Sequence, residues 1–144
     1  MTVVVDASTV VAALVDTGPD GRWAEALLAA EALVAPHLMP VEVASVLRRA
    51  ELAGDIAPEV AALAHADLLR LRVDLVPYEP FAARVWQLRQ NLTPYDASYV
   101  AVAEALGLPL ATLDRRLAAA PTDCPILTPS WARGARPGEL GPRS

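Results

Sequence analysis

A chain of 144 residues that is 54% hydrophobic has the length of one ordinary domain and enough apolar content for a substantial core. Its lone cysteine, Cys124, excludes an intramolecular disulfide, no basic segment leads into an apolar one at the start, and no apolar run approaches the roughly 20 residues of a membrane helix; a soluble protein of the reducing cytoplasm is expected. The net charge of −5 argues against a simple polyanion binder, and the absence of lysine excludes any mechanism built on a catalytic lysine, so charge has to be read locally.

Thr2–Val5 is a β-branched run ending at Asp6, which predicts a short buried strand, and Asp6 and Ser8 are both suitable caps for a helix over Ala7–Val15. Turn-forming residues at 16–21 predict a loop, followed by a helix over 22–32 and a brief strand over 33–35 stopped by Pro36. A helix over 38–53 places Val43, Val46, Leu47 and Ala50 on one face and ends at Gly54; another starts at Pro58 and runs to Arg70. A third strand is expected over 73–76 and a helix over 80–90.

Thr93-Pro94-Tyr95-Asp96 reads as a helix start, with Thr93 as cap. The helix over 95–106 is apolar nearly all round, so it should pack on both sides before Gly107 ends it. A strand over 108–113 leads to Asp114, a short helix reaches Ala120, and a last strand covers 125–127. Residues 1–128 thus form one domain; the Pro-, Gly- and Arg-rich tail at 129–144 is expected to fray. Strand and helix alternate throughout, which predicts an α/β fold with a parallel sheet of four or five strands covered on both faces.

Ligands of such folds sit outside the carboxyl ends of the strands, where Asp6 and Asp114 fall directly. Asp96 enters from the central helix and Glu42 from the first turn of its own helix. Taken singly, Asp6 and Asp114 could be helix caps, Asp96 the acidic partner of Thr93, and Glu42 a first-turn glutamate favoured by the helix dipole, each worth about 1 kcal/mol. Together the four are harder to explain that way. Carboxylates about 5 Å apart repel by roughly 3 kcal/mol at an effective dielectric near 20, more than a cap returns, so a cation or a shared proton must offset them.

Hard carboxylate oxygens without a grouping of His and Cys point to Mg²⁺, with Mn²⁺ as the alternative. His37 could cap a helix or contact RNA, or be a surface residue; His65 and Cys124 read as structural. Ser8 and Thr112 each lie two residues from an acid and could orient it, or serve as ordinary cap and strand residues. The aromatics show no interleaved stacking pattern and read mostly as core or interface, with Tyr95 kept near the site.

Val4-Val5-Asp6-Ala7-Ser8, residues 36–49 with Glu42 inside, Thr93-Pro94-Tyr95-Asp96-Ala97 and Ala111-Thr112-Leu113-Asp114 together resemble the PIN-domain nucleases, above all the VapC-type toxins of toxin-antitoxin pairs. The resemblance runs from about Thr2 to Leu127 and implies a three-layer α/β/α fold. It implies a Mg²⁺- or Mn²⁺-dependent endoribonuclease that stops translation, with Asp6 and Asp96 as principal metal ligands and Glu42 and Asp114 completing the set. It also implies a homodimer and a cognate VapB-type antitoxin. His37, where a hydroxyl residue often caps the Glu-bearing helix, and Pro40 and Pro129 are departures that leave the acids untouched. Arg115 and Arg116 could meet substrate phosphates, since guanidinium forks match phosphate oxygens, or simply line a solvated helix face.

Three other classes compete. Phosphoacceptor domains also place an aspartate after the first strand, but they use a lysine that this chain lacks. A Rossmann nucleotide site needs a glycine-rich loop where Asp6-Ala7-Ser8-Thr9 stands. A catalytically inactive PIN-like module, binding only an antitoxin or RNA, would have no reason to tolerate four mutually repelling acids.

Overall fold

The computed structural model describes residues 1–129; apart from Pro129 itself, the tail assigned to 129–144, with Trp131, Arg133 and Arg136, lies outside the described residues. In chain order the elements are β1 (Thr2–Val5), α1 (Ala7–Val15), α2 (Pro19–Ala30), β2 (Ala32–Pro36), α3 (Met39–Leu52), α4 (Pro58–Arg70), β3 (Asp74–Val76), a 3₁₀ turn (Glu79–Phe81), α5 (Ala82–Gln87), α6 (Pro94–Leu106), β4 (Leu110–Ala111), α7 (Arg115–Ala118) and β5 (Ile126–Leu127). Among the described residues the five strands form one sheet in the order β3-β2-β1-β4-β5, every pair parallel.

Val3, Val4 and Val5 have no solvent exposure. Successive strand residues point to opposite faces, so both faces of β1 are covered, as a parallel sheet requires. α1 packs against α2, α3 and α4, while α6 packs against α5 and against β1, β2 and β4. α6 is buried at every position from Ala97 to Ala103, the all-round packing its apolar sequence predicts. Gly107 closes it at φ +66°, a left-handed conformation that glycine adopts without a Cβ penalty.

Three boundaries differ from expectation. The loop predicted over 16–21 gives way to α2 at Pro19, because Gly18 takes the cap position and Pro19 the first helical one. Gly21, inside that helix, allows the close return of the chain: a Cβ there would stand 1.7 Å from the Asp16 carbonyl oxygen. The helix predicted over 80–90 is a 3₁₀ turn followed by the short α5. The strand predicted over 108–113 keeps only Leu110–Ala111 as ladder: Pro109 lacks an N–H, and beyond the Thr112 N–H, which still reaches the Leu127 carbonyl, the donors are taken by side chains, Leu113 N–H by Ser8 Oγ and Asp114 N–H by Thr112 Oγ1.

The strand order reverses between β1 and β4: β2 and β3 continue to one side, β5 to the other. A crevice outside the carboxyl ends of two such strands is where open α/β sheets bind ligands. Asp6 immediately follows β1, and Asp114 stands three residues beyond β4.

Candidate active site

Asp6 is the most constrained of the acids. Only 4% exposed, it caps α1 by accepting the Thr9 N–H on Oδ1 at 3.0 Å, and Ser8 Oγ donates to the same oxygen at 2.7 Å. Thr112 Oγ1 donates to Oδ2 at 2.5 Å. Burial raises the Asp6 pKa; the bonds from Thr112, Ser8 and Thr9 oppose it. Thr112 also accepts the Asp114 N–H at 2.9 Å, so one hydroxyl ties the acid after β1 to the acid after β4.

Asp114 caps α7, its Oδ1 accepting the backbone N–H of Arg116 and Leu117. Thr93 caps α6 through the Asp96 N–H, which leaves the Asp96 carboxylate facing Arg116: Nη2 lies 3.1 Å from Asp96 Oδ2 and 3.9 Å from Asp114 Oδ2. Burial raises the Asp96 pKa, the Asp114 charge adds to this, and Arg116 pulls it back. Half-buried Glu42 is held by Tyr99, whose hydroxyl donates to Oε1. Its pKa is raised by burial, opposed by the Tyr99 bond, and raised further by the charges of Asp96 and Asp6.

The electrostatic coupling therefore runs as a chain: Asp6 with Glu42, Glu42 with Asp96, Asp96 with Asp114. The donors are all carboxylate oxygens, which suits a hard divalent cation and not zinc. Among the described residues, however, no three His, Cys, Asp or Glu side chains stand together as a ready-made metal cage.

The PIN domain sequence profile matches residues 3–122. The chain belongs to the PIN-domain family. Among relatives, Ribonuclease VapC1 of Mycobacterium tuberculosis is 46% identical over 119 residues, covering 82% of this chain and 90% of the relative. Among solved structures, PAE2754 of Pyrobaculum aerophilum superposes with a TM-score of 0.68 at 28% identity, over 88% of this chain and 83% of that one. Mycobacterium tuberculosis VapC20, described as a Sarcin-Ricin loop cleaving toxin, shares the fold with a TM-score of 0.64 at 18% identity, over 83% of this chain and 95% of that one.

Within this PIN domain two polar partners escape a reading of the sequence. Tyr99, 1% exposed, sits three residues after Asp96 on a helix where it resembles core filler; the i, i+3 spacing from an acid was the available signal. Thr9 gives its N–H to Asp6 and its hydroxyl to the Ala111 carbonyl. His37 does not cap α3: the cap position is Leu38, without a side-chain bond, and the His37 N–H donates to the Val76 carbonyl. Of the aromatics expected in the core or at an interface, Tyr78 and Trp86 are exposed, as is Tyr95 beside Asp96, and Arg89 lies over the Trp86 ring at 4.6 Å.

Proposed function

We propose that this protein is a divalent-cation-dependent endoribonuclease, the toxic component of a VapBC-type pair, hydrolysing RNA phosphodiester bonds at the Asp6, Glu42, Asp96 and Asp114 cluster. The observation that carries the reading is the bonded run of acids beyond β1 and β4, where Thr112 ties Asp6 to the Asp114 backbone and Arg116 lies 3.1 Å from Asp96 and 3.9 Å from Asp114. Membership of a family whose relatives include named ribonucleases supports it. Mg²⁺ is the cation proposed, with Mn²⁺ as a substitute. A VapB-type antitoxin, assembly as a homodimer and a cytoplasmic site of action belong to the same proposal; among the described residues no helix is long and apolar enough to cross a membrane.

A cation held by Asp6 and Asp96 would polarise a phosphate oxygen and make an attacking water nucleophilic near neutral pH. The protein's own groups do the rest. Ser8, Thr9 and Thr112 fix the Asp6 carboxylate before substrate arrives, so little reorganisation is needed at the reacting centre. Tyr99 engages Glu42 Oε1, leaving Oε2 to accept a proton from the attacking water. Burial raises the Tyr99 pKa and the Glu42 bond raises it further, so the phenol keeps its proton and remains a donor. Asp114 stays oriented by the α7 backbone, and Arg115 and Arg116 lie at the same helix start to meet substrate phosphates.

A second reading, a PIN-like module that binds antitoxin or RNA without cutting, draws on the lack of a ready-made three-ligand group among the described residues. Incubating purified protein with structured RNA and Mg²⁺ or Mn²⁺ separates the two. Cleavage that needs the cation and falls at least a hundredfold in Asp6→Asn supports the nuclease. No cleavage by the wild type, or equal cleavage by the variant, removes it.

A further inference from the structure

Arg116 occupies a particular place among the acids. Rooted on the four-residue α7, its side chain is 74% exposed, yet its guanidinium reaches back to Asp96 Oδ2 at 3.1 Å and approaches Asp114 Oδ2 at 3.9 Å. It is thus the positive charge that stands between an acid of α6 and an acid after β4. Asp114 Oδ1 is spent on capping α7, so Oδ2, the oxygen nearest Arg116, is the one left for any other cation. On Asp96 the guanidinium itself holds Oδ2, so an ion drawing on that oxygen meets Arg116 there as well.

We infer that Arg116 is a tethered competitor for the divalent-cation site: its guanidinium shares Asp96 and Asp114 oxygens with the ion, sets the ion concentration at which the site fills, and on withdrawal becomes available to RNA phosphate. This rests on the nuclease reading of the same site. An exposed ion pair on a long side chain yields at little cost, so withdrawal is accessible. The forked guanidinium suits phosphate as well as carboxylate, so one side chain can serve both partners in turn.

Competition and phosphate binding leave opposite signatures on one substitution. Removing Arg116 should tighten the ion and weaken RNA, a pair of changes that loss of a merely structural contact would not produce. Calorimetric titration of the full-length protein with Mn²⁺ should show Arg116→Ala binding roughly two- to fivefold tighter than wild type, the reciprocal of the fraction of molecules whose carboxylates stand clear of the guanidinium. Arg116→Lys, which keeps the charge and loses the fork, should fall between. Arg70→Ala, which removes the same charge from a pair with Asp67 on α4, should leave Mn²⁺ affinity within error. At saturating Mn²⁺, Arg116→Ala should show a KM for RNA roughly fivefold higher. In ¹⁵N-labelled wild type, the Arg116 guanidinium resonances should move as Mg²⁺ is added. Unchanged or weaker Mn²⁺ binding by Arg116→Ala, in a wild type that binds Mn²⁺ and cleaves RNA, overturns this inference alone. A wild type that neither takes up Mn²⁺ nor cleaves RNA overturns the nuclease reading with it.

Discussion

Burial raises the Asp6 pKa from its ordinary value, and burial together with neighbouring carboxylate charge raises those of Glu42 and Asp96. Each group binds its proton more tightly folded than unfolded, so the stability it contributes is fully present below its ordinary value, about 4, and is lost as pH rises through the raised folded value. Glu104 runs the other way: its bond from Arg84 lowers its pKa, and its contribution is lost as pH falls through that lowered value. In EDTA, the melting temperature should therefore decline as pH rises above about 4 and through the raised folded values of these three acids. Asp6→Asn should flatten that decline and melt a few degrees higher at pH 7 while losing activity; scanning fluorimetry across pH checks both, and an unchanged slope would count against the coupling. Tyr99→Phe should lower kcat roughly tenfold with KM little changed and cost about 1 kcal/mol, the usual net worth of a hydrogen bond, measurable by urea denaturation beside RNA kinetics. An undiminished kcat would remove Tyr99 from the positioning of Glu42. The positions of the four acids, Ser8 and Thr112 could be read because each stands near a strand end or helix start, and the structure bonds Ser8 and Thr112 to Asp6. Tyr99 was not, because its partner lies 57 residues away and a phenol in an apolar helix looks like packing.

At the scale of elements, capping chemistry and functional geometry use the same atoms. Asp6, Thr93 and Asp114 each accept backbone N–H groups at a helix start, and those bonds aim Asp6, Asp96 and Asp114. This is why β1 and α1 could be read to the residue from a cap and a β-branched run, and α4 from Pro58 at its first turn, while β4 was drawn too long: side-chain hydroxyls capture the donors of Leu113 and Asp114, an effect no periodicity reveals. The start of α2 was misplaced because Asp16, Gly18 and Gly21 read as turn residues, when Gly21 serves a close approach inside the helix. Gly21→Ala places a Cβ against the Asp16 carbonyl and should destabilise by about 2–4 kcal/mol, with α1 and α2 forced apart. Urea melts give the value; a loss below about 0.5 kcal/mol, the scatter of ordinary surface changes, would contradict the packing.

The described molecule joins a valine-rich central strand, covered on both faces, to Asp6 just after it, Glu42 on α3, Asp96 on α6 and Asp114 after β4, which interact pairwise. The fold class was legible because strand and helix alternate. The strand order was not, since nothing local states that β4 pairs on the far side of β1 from β2. That order matters, because it sets Asp6 and Asp114 beyond the ends of neighbouring strands, where Thr112 Oγ1 donates to the Asp6 carboxylate and accepts the Asp114 N–H. The most direct test of the account is Mn²⁺ titration of wild type beside Asp96→Asn, followed by calorimetry. Saturable uptake by the wild type, weakened at least tenfold in the variant, is the predicted result. No uptake by the wild type, or equal uptake by both, would contradict a cation site built on these carboxylates.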